Sequence, residues 1–205
     1  MYTPAAFRDT DPASLRRHLL AARLAILVTQ DKGDLQATHL PLLIEDSGPH
    51  GTLLGHLARA NDQWKILAQG GSALVIFPGE DAYVSPSAYA AKAEHGKVVP
   101  TWNYTAVHAW AKPEVFDDAA RLLGVVQGLT ERHEAGQAQP WAVGDAPAGY
   151  IAGMLKAIVG VQLVIERIEG KRKLSQNRAQ LDIDGVRQRL ADSADPRDRA
   201  LAAFM

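Results

Sequence analysis

Apolar and polar positions alternate along this chain in short runs, which predict strands joined by tight turns with helices at the periphery. Asp11 stands as the cap of a first helix, Pro12 fits its opening position, and Leu15, Leu19 and Ala22 recur at helical spacing. Leu24-Ala25-Ile26-Leu27-Val28-Thr29 is a continuous apolar run with β-branched content and predicts a buried strand. Beyond the turn Lys32-Gly33-Asp34, Gln36 to Leu43 predicts a second strand. Beyond Ser47-Gly48-Pro49-His50-Gly51, Thr52 to Leu57 predicts a third.

Asn61 is the next helix cap, with Trp64, Leu67 and Ala68 on one face and Gly70-Gly71 as the stop. Ala73 to Phe77 reads as an apolar strand ended by Pro78-Gly79, and Ala82 to Ser85 as a shorter one ended by Pro86. Ala90 to Lys97 is small, polar and charged, the pattern of an exposed loop. Val98 to Val115 is strand-like, interrupted at Pro100 and turned at Lys112-Pro113. Helices are predicted from Ala119 to His133 and from Ala148 to Ile158, followed by a strand from Val161 to Ile168. Short helical pieces around Val186 to Leu190 and Arg197 to Phe204 close the chain.

Strands that are mostly adjacent in sequence leave edge groups to be satisfied, and closing them into a small barrel does so. Strands and crossover helices do not alternate, and no glycine-rich loop follows the first strand, which excludes a doubly wound sheet. The predicted fold class is mainly β with peripheral helices (α+β), built on an antiparallel β-barrel.

Composition narrows the class further. With 205 residues, 47% hydrophobic and 22% charged, the chain is globular and long enough for a core of its own. It is expected to form one domain, 1–205, with a C-terminal helical extension from about 180. The absence of cysteine excludes disulfides, thiolate metal sites and Fe–S clusters. No apolar run approaches the ~18 residues of a membrane span, and Met1-Tyr2-Thr3-Pro4 opens without a basic or apolar leader. The expected location is therefore the cytoplasm. A formal net charge of -1 provides no global footprint for nucleic acid.

Four stretches are richer in functional groups than a barrel requires: Thr38-His39-Leu40-Pro41, Gly55 to Asn61, Pro100 to Tyr104, and Lys173-Leu174-Ser175-Gln176-Asn177. In the second, His56 and Ala58 share a strand face, and Arg59 sits where the strand passes into the helix capped by Asn61. A guanidinium beside a helix N-terminus suits phosphate, but on the residues alone the first reading is that Arg59 pairs with a nearby carboxylate such as Asp62 and Asn61 merely caps. Trp102, Asn103 and Tyr104 either wall a planar ring system or serve as core and rim of a strand. His39, His56, His108 and His133 have no ligand spacing, so no metal is expected. Ser85, Ser87 and Ser175 lack the context of a nucleophile elbow. Lys171-Arg172-Lys173 is a local basic run, a weak basis for nucleic-acid binding.

Taken together, Met1-Tyr2-Thr3-Pro4 with Phe7, Thr38 to Leu42, Gly55 to Asn61 and Ala82 to Pro86 resemble the PaiB-type FMN-binding negative transcriptional regulators. Val99 to Tyr104 with Val107-His108, Ile158 to Val161, and Lys173 to Asn177 extend the likeness to Arg178. The resemblance implies a split-barrel fold similar to the pyridoxamine phosphate oxidase group, a homodimer with FMN between the subunits, and a regulatory role. It implies that His56, Arg59 and Asn61 hold the FMN phosphate, with Thr38, His39, Trp102 and Asn103 near the ribityl chain or ring. Lys173, Ser175 and Gln176 join them as cofactor-binding residues by the same likeness. Ala6 stands where the family commonly has histidine, and Ala88 and Arg172 where it has tryptophan, which predicts a looser pocket wall. The alternative function is a flavin-dependent oxidoreductase in which His108 or Tyr104 assists proton transfer; direct DNA binding has the least support.

Overall fold

The computed structural model describes residues 1–205. The chain begins with β1 (Arg8–Asp9), α1 (Pro12–Ala21), β2 (Ala25–Asp31), β3 (Asp34–Leu40), β4 (Leu43–Glu45) and β5 (Thr52–Ala58). It continues through α2 (Gln63–Ala68), β6 (Ala73–Val84), α3 (Ala91–His95), β7 (Thr101–Phe116) and α4 (Ala119–Glu134). Last come α5 (Ala148–Leu155), β8 (Ile158–Lys173), α6 (Gln180–Ala191) and α7 (Pro196–Ala202). The strands form one sheet in the order β3-β2-β6-β7-β8-β5-β4, and β1 pairs with β8 off that path. The registered pairings are all antiparallel. This is the mainly antiparallel α+β fold expected from the sequence. No helix is long and apolar enough to cross a membrane.

The chain divides into two compact units. One comprises Ala22–Ile76 and His108–Ile168. In it Leu27 pairs with both Thr38 and Val75, and Leu53 pairs with Leu163. Leu27, Val75, Leu53 and Leu163 are all fully buried, as alternation on a half-covered sheet requires. Gly55 permits the link from β3 to β4 to cross β5, since a Cβ there would stand 2.7 Å from Leu42 Cδ2 and 3.2 Å from Pro41 O. Asp118 caps α4 by accepting from the Arg121 N–H at 2.8 Å. The helix then buries Leu122, Val125 and Leu129 with Phe116 against Leu43, Leu54, Leu155 and Ile158. Arg132 fastens the same helix to the carbonyls of Leu42 (2.8 Å) and Ala22 (2.9 Å).

The other unit comprises Met1–Ala21, Phe77–Val107 and Glu169–Met205. Helix α1 begins as its sequence predicts, the Asp11 carboxylate accepting from the N–H groups of Ala13 (3.1 Å) and Ser14 (3.2 Å). Ala82, Val84 and Tyr89 form a second apolar cluster with Leu174, Val186, Leu190 and Leu201. The α6 backbone comes so close to Ala88 O that a Cβ on Gly185 would lie 2.3 Å from it.

Several predicted boundaries move. Pro78-Gly79 does not end a strand, because β6 runs through it to Val84. Gly79 is there for a close approach: its Cβ would meet Thr105 Oγ1 at 2.1 Å and His18 Cε1 at 2.6 Å. Strand β7 likewise passes through Lys112-Pro113, and β8 extends well beyond the predicted Val161–Ile168. The predicted second strand is two, β3 and β4, and α3 stands within the stretch expected to be a loop.

The tightest glycine contact in the first unit gives a stability test. A Cβ on Gly160 would fall 2.3 Å from Phe116 Cε2 and Cζ, displacing the ring that anchors the α4 cluster. Gly160→Ala is expected to lower the urea-unfolding free energy by about 1–3 kcal/mol, the usual cost of overpacking. Unfolding free energies within about 0.5 kcal/mol of each other would show that the ring swings away freely.

Candidate functional site

The sequence-predicted residues fall into two groups, one in each unit. Thr38, His39, His56, Arg59 and Asn61 belong to the unit of α4. At their centre Asn61 works in both directions: its Nδ2 donates to Thr38 Oγ1 at 2.9 Å, and its Oδ1 accepts from the Gln63 N–H at 3.1 Å. The side chain ties the end of β3 to the start of α2, although Asp62, not Asn61, is the formal N-cap residue. Helix α2 is only six residues long, so its dipole is slight. Gln63, fully buried, clamps the same corner by donating to Leu27 O, Thr29 Oγ1 and Gln36 O at 3.1–3.2 Å.

Arg59 does not pair with Asp62. Its Nε donates to Lys156 O at 2.9 Å and its Nη2 to Ile158 O at 3.1 Å, while Asp62 pairs with Lys65 at 2.6 Å. The Arg59 backbone is held as well, its N–H donating to Ala157 O at 2.8 Å and its carbonyl accepting from Trp64 Nε1 at 3.0 Å. The guanidinium keeps Nη1 for another oxygen. His39 is exposed and pairs across the ladder with Ile26. His56 stands opposite Gly160, on the sheet face where the Phe116 ring lies. Its Nδ1 is buried with no hydrogen-bond partner, and burial lowers its pKa, so the ring is held neutral.

Trp102, Asn103, Lys173, Ser175 and Gln176 belong to the unit of α1, where the fold joins two stretches that are distant in sequence. Asn103 is completely buried; its Nδ2 donates to Ser175 Oγ at 2.9 Å, and Oδ1 lies 3.3 Å from the same hydroxyl. Ser175 adopts a left-handed backbone, φ 66°, unusual for a residue with a side chain. Gln176 clamps that turn, accepting from the Leu174 N–H at 2.7 Å and donating to Arg172 O. Lys173 Nζ donates to Thr101 Oγ1 and Trp102 O. Burial, then the charges of Lys171 and Arg178, push the Lys173 pKa down. Trp102 is exposed and meets Tyr83 edge to face, centroids 6.0 Å apart.

A pocket of about 210 Å³ opens at this junction, lined among others by Tyr89, Thr101, Asn103, Lys173, Ser175 and Arg178, with no carboxylate in its wall. Tyr89 and Arg178 were outside the residues singled out from the sequence. Arg178 directly follows the Lys173–Asn177 motif, so adjacency was the available signal; Tyr89 had none. No group of three or more His, Cys, Asp or Glu side chains is placed to hold a metal ion.

An antiparallel sheet of this order, with helices at its margins, belongs to the split-barrel fold class. The FAD and heme binding protein of Mycobacterium smegmatis has a similar fold, with TM-score 0.59 and 21% identity over 86% of this chain and 78% of that one. The chain belongs to the FMN-binding domain family: the family model described as "Putative FMN-binding domain" matches residues 1–167. It is 31% identical to the Protease synthase and sporulation protein PAI 2 of Bacillus subtilis, over all of this chain and 96% of that protein. It is also 32% identical to an uncharacterized protein of Emericella nidulans, over 91% of this chain and 88% of that protein. The sequence resemblance and the predicted fold class therefore hold, and FMN is the cofactor of the family. The structure suits a group of that kind, since a buried, unpartnered ring nitrogen at His56 can accept or donate to a polar ligand.

Two half-buried histidines make stability depend on pH. His18, whose Nε2 lies 3.0 Å from Phe77 O, and His56 both have pKa values lowered from 6.5, chiefly by burial. Below 6.5 the unfolded chain takes up protons that the folded chain refuses, so stability present above that pH is lost as pH falls. The melting temperature is expected to drop between pH 7.5 and 5.5, and less steeply in His56→Gln; identical slopes would show that His56 does not contribute.

Proposed function

We propose that this protein is an FMN-holding homodimer whose flavin-bound state controls another cellular process, with Thr38, His39, His56, Arg59 and Asn61 holding the ribityl-phosphate arm. The observation that carries the reading is the family match over residues 1–167, which includes all of those positions. Thr38 and Asn61 are already joined, so their remaining donor and acceptor capacity faces any ligand as one unit. Arg59 contributes Nη1, oriented by the two carbonyls that its other nitrogens grip. Trp102, Asn103, Lys173, Ser175 and Gln176 supply a second group of contacts, Trp102 offering its exposed face to a ring. When bound, FMN supplies redox chemistry, which this cysteine-free chain has no thiol to perform.

Helix α5 supports the dimer. Its eight residues are all uncharged, none is buried, and Tyr150 and Met154 are 60% and 50% exposed one turn apart. An apolar helix left open in this way is what a second subunit covers. Control of other processes accords with the name of the Bacillus subtilis relative, a protease synthase and sporulation protein. Direct contact with DNA is the weaker route. The chain carries a net charge of -1, and on α6 Arg187 is neutralised by Asp184 at 3.0 Å.

Binding of FMN is read from a visible absorption spectrum and a melting shift. At 100 times the dissociation constant FMN is expected to stabilise the fold by roughly 2.7 kcal/mol. A colourless protein with no shift in added FMN would overturn the flavin reading. Arg59→Ala should weaken FMN more than riboflavin, which lacks the phosphate; equal losses would remove Arg59 from the phosphate.

A further inference from the structure

We propose that the pocket between Thr101, Asn103, Lys173 and Arg178 is an oxyanion site that takes a phosphate or carboxylate group. Its charge balance is the first argument. Lys173 and Arg178 form no ion pair: Lys173 donates only to Thr101 Oγ1 and Trp102 O, and Arg178 lies over the Tyr89 ring at 4.9 Å. Lys171, buried two residues before Lys173 on the same strand, is met by Tyr2 O at 3.0 Å and by the faces of Tyr2 and Tyr104, again with no carboxylate. Like charges gathered without a counter-ion carry an electrostatic cost that a bound anion relieves.

Donor geometry is the second argument. Tyr89, 4% exposed, places its hydroxyl in the protein with no hydrogen-bond partner, although the side chain lines the pocket. A buried phenol left unsatisfied costs free energy unless a ligand completes it. Arg178 brings all five guanidinium N–H donors, none engaged by the protein. The left-handed Ser175 fixes its hydroxyl on Asn103 in the same wall, a strained position of the type that persists at ligand sites. A pocket of about 210 Å³ admits an oxyanion head group with a short stem. The site stands whether or not the flavin reading does, because the anion has two sources: the phosphate of FMN, which would then leave the Arg59 cluster assigned to it above, or a separate small molecule bearing phosphate or carboxylate.

Inorganic phosphate is the probe, titrated calorimetrically into the full chain in phosphate-free buffer with riboflavin in excess to replace any FMN. Saturable binding is expected in the wild type. Arg178→Gln and Tyr89→Phe should weaken it about tenfold or more, the scale of one charge-assisted hydrogen bond. Tyr89→Phe should melt no lower than the wild type without phosphate, since it removes a hydroxyl that the protein does not satisfy. Absence of saturable binding, or equal affinity in the wild type and both variants, would overturn the site. Comparison of FMN with riboflavin in Arg178→Gln then names the source. Loss confined to FMN identifies the flavin's phosphate, and unchanged affinity for both, with phosphate binding lost, identifies a separate anion. Both results support the site, whereas equal loss of both flavins with phosphate binding intact counts against it.

Discussion

The hydrogen bond between Asn103 and Ser175 is the interaction on which the surroundings of the cationic pocket depend. A primary amide with no exposure to water is costly unless paired, and Asn103 has one side-chain hydroxyl to serve it. To put that hydroxyl in reach, the chain leaves β8 at Lys173 and turns through a left-handed residue, which Gln176 then locks from the side. The same turn delivers Lys173 to the start of β7 and Arg178 to the face of Tyr89.

The strand-end cluster in the other unit is organised differently. Asn61, Gln63, Arg59 and Trp64 all direct hydrogen bonds at the protein's own backbone or hydroxyls, so the corner is rigid before any ligand arrives. Rigidity of that kind lowers the ordering cost of binding. It leaves Arg59 with less freedom to reach an anion than Arg178, whose guanidinium is engaged only by a ring. A firm scaffold in one unit and unanswered charge in the other divide the roles that sequence alone had merged into one list.

Much of the fold was legible because its signals are local. The Asp11 cap and the alternation in β8 survive intact, and of the apolar positions read along α4 Leu122 and Leu129 are buried while Val125 takes the place expected of Val126, since each is decided within a turn or two of the chain. Pro78-Gly79 misled for the opposite reason. Its glycine answers to Thr105 and His18, neighbours that no local window contains. Family likeness singled out the Trp102-Asn103 and Lys173–Gln176 stretches separately, while the bond that joins them is a tertiary fact. Arg172, standing in place of the family's usual tryptophan, shows how the departure is accommodated: Nη1 reaches Ser14 Oγ at 3.4 Å and Nη2 reaches Phe204 O at 3.2 Å. A guanidinium there ties the C-terminal segment down by hydrogen bonds, where an indole would act mainly through apolar contact and its single N–H.

Net charge conceals this arrangement. Twenty-two basic and twenty-three acidic residues nearly cancel, and such a balance ordinarily argues against anionic ligands. Yet the cancellation is uneven. Arg187, Arg197 and Lys65 meet carboxylates within 3.0 Å at the surface, where ion pairs are worth little and water screens the rest. Lys171, Lys173 and Arg178 meet none, and Lys171 is buried, where a charge is felt most. A near-neutral total lends a long polyanion little overall attraction, while remaining compatible with one small oxyanion held at a single point. Local charge, not the total, is what this pocket offers a small anionic molecule.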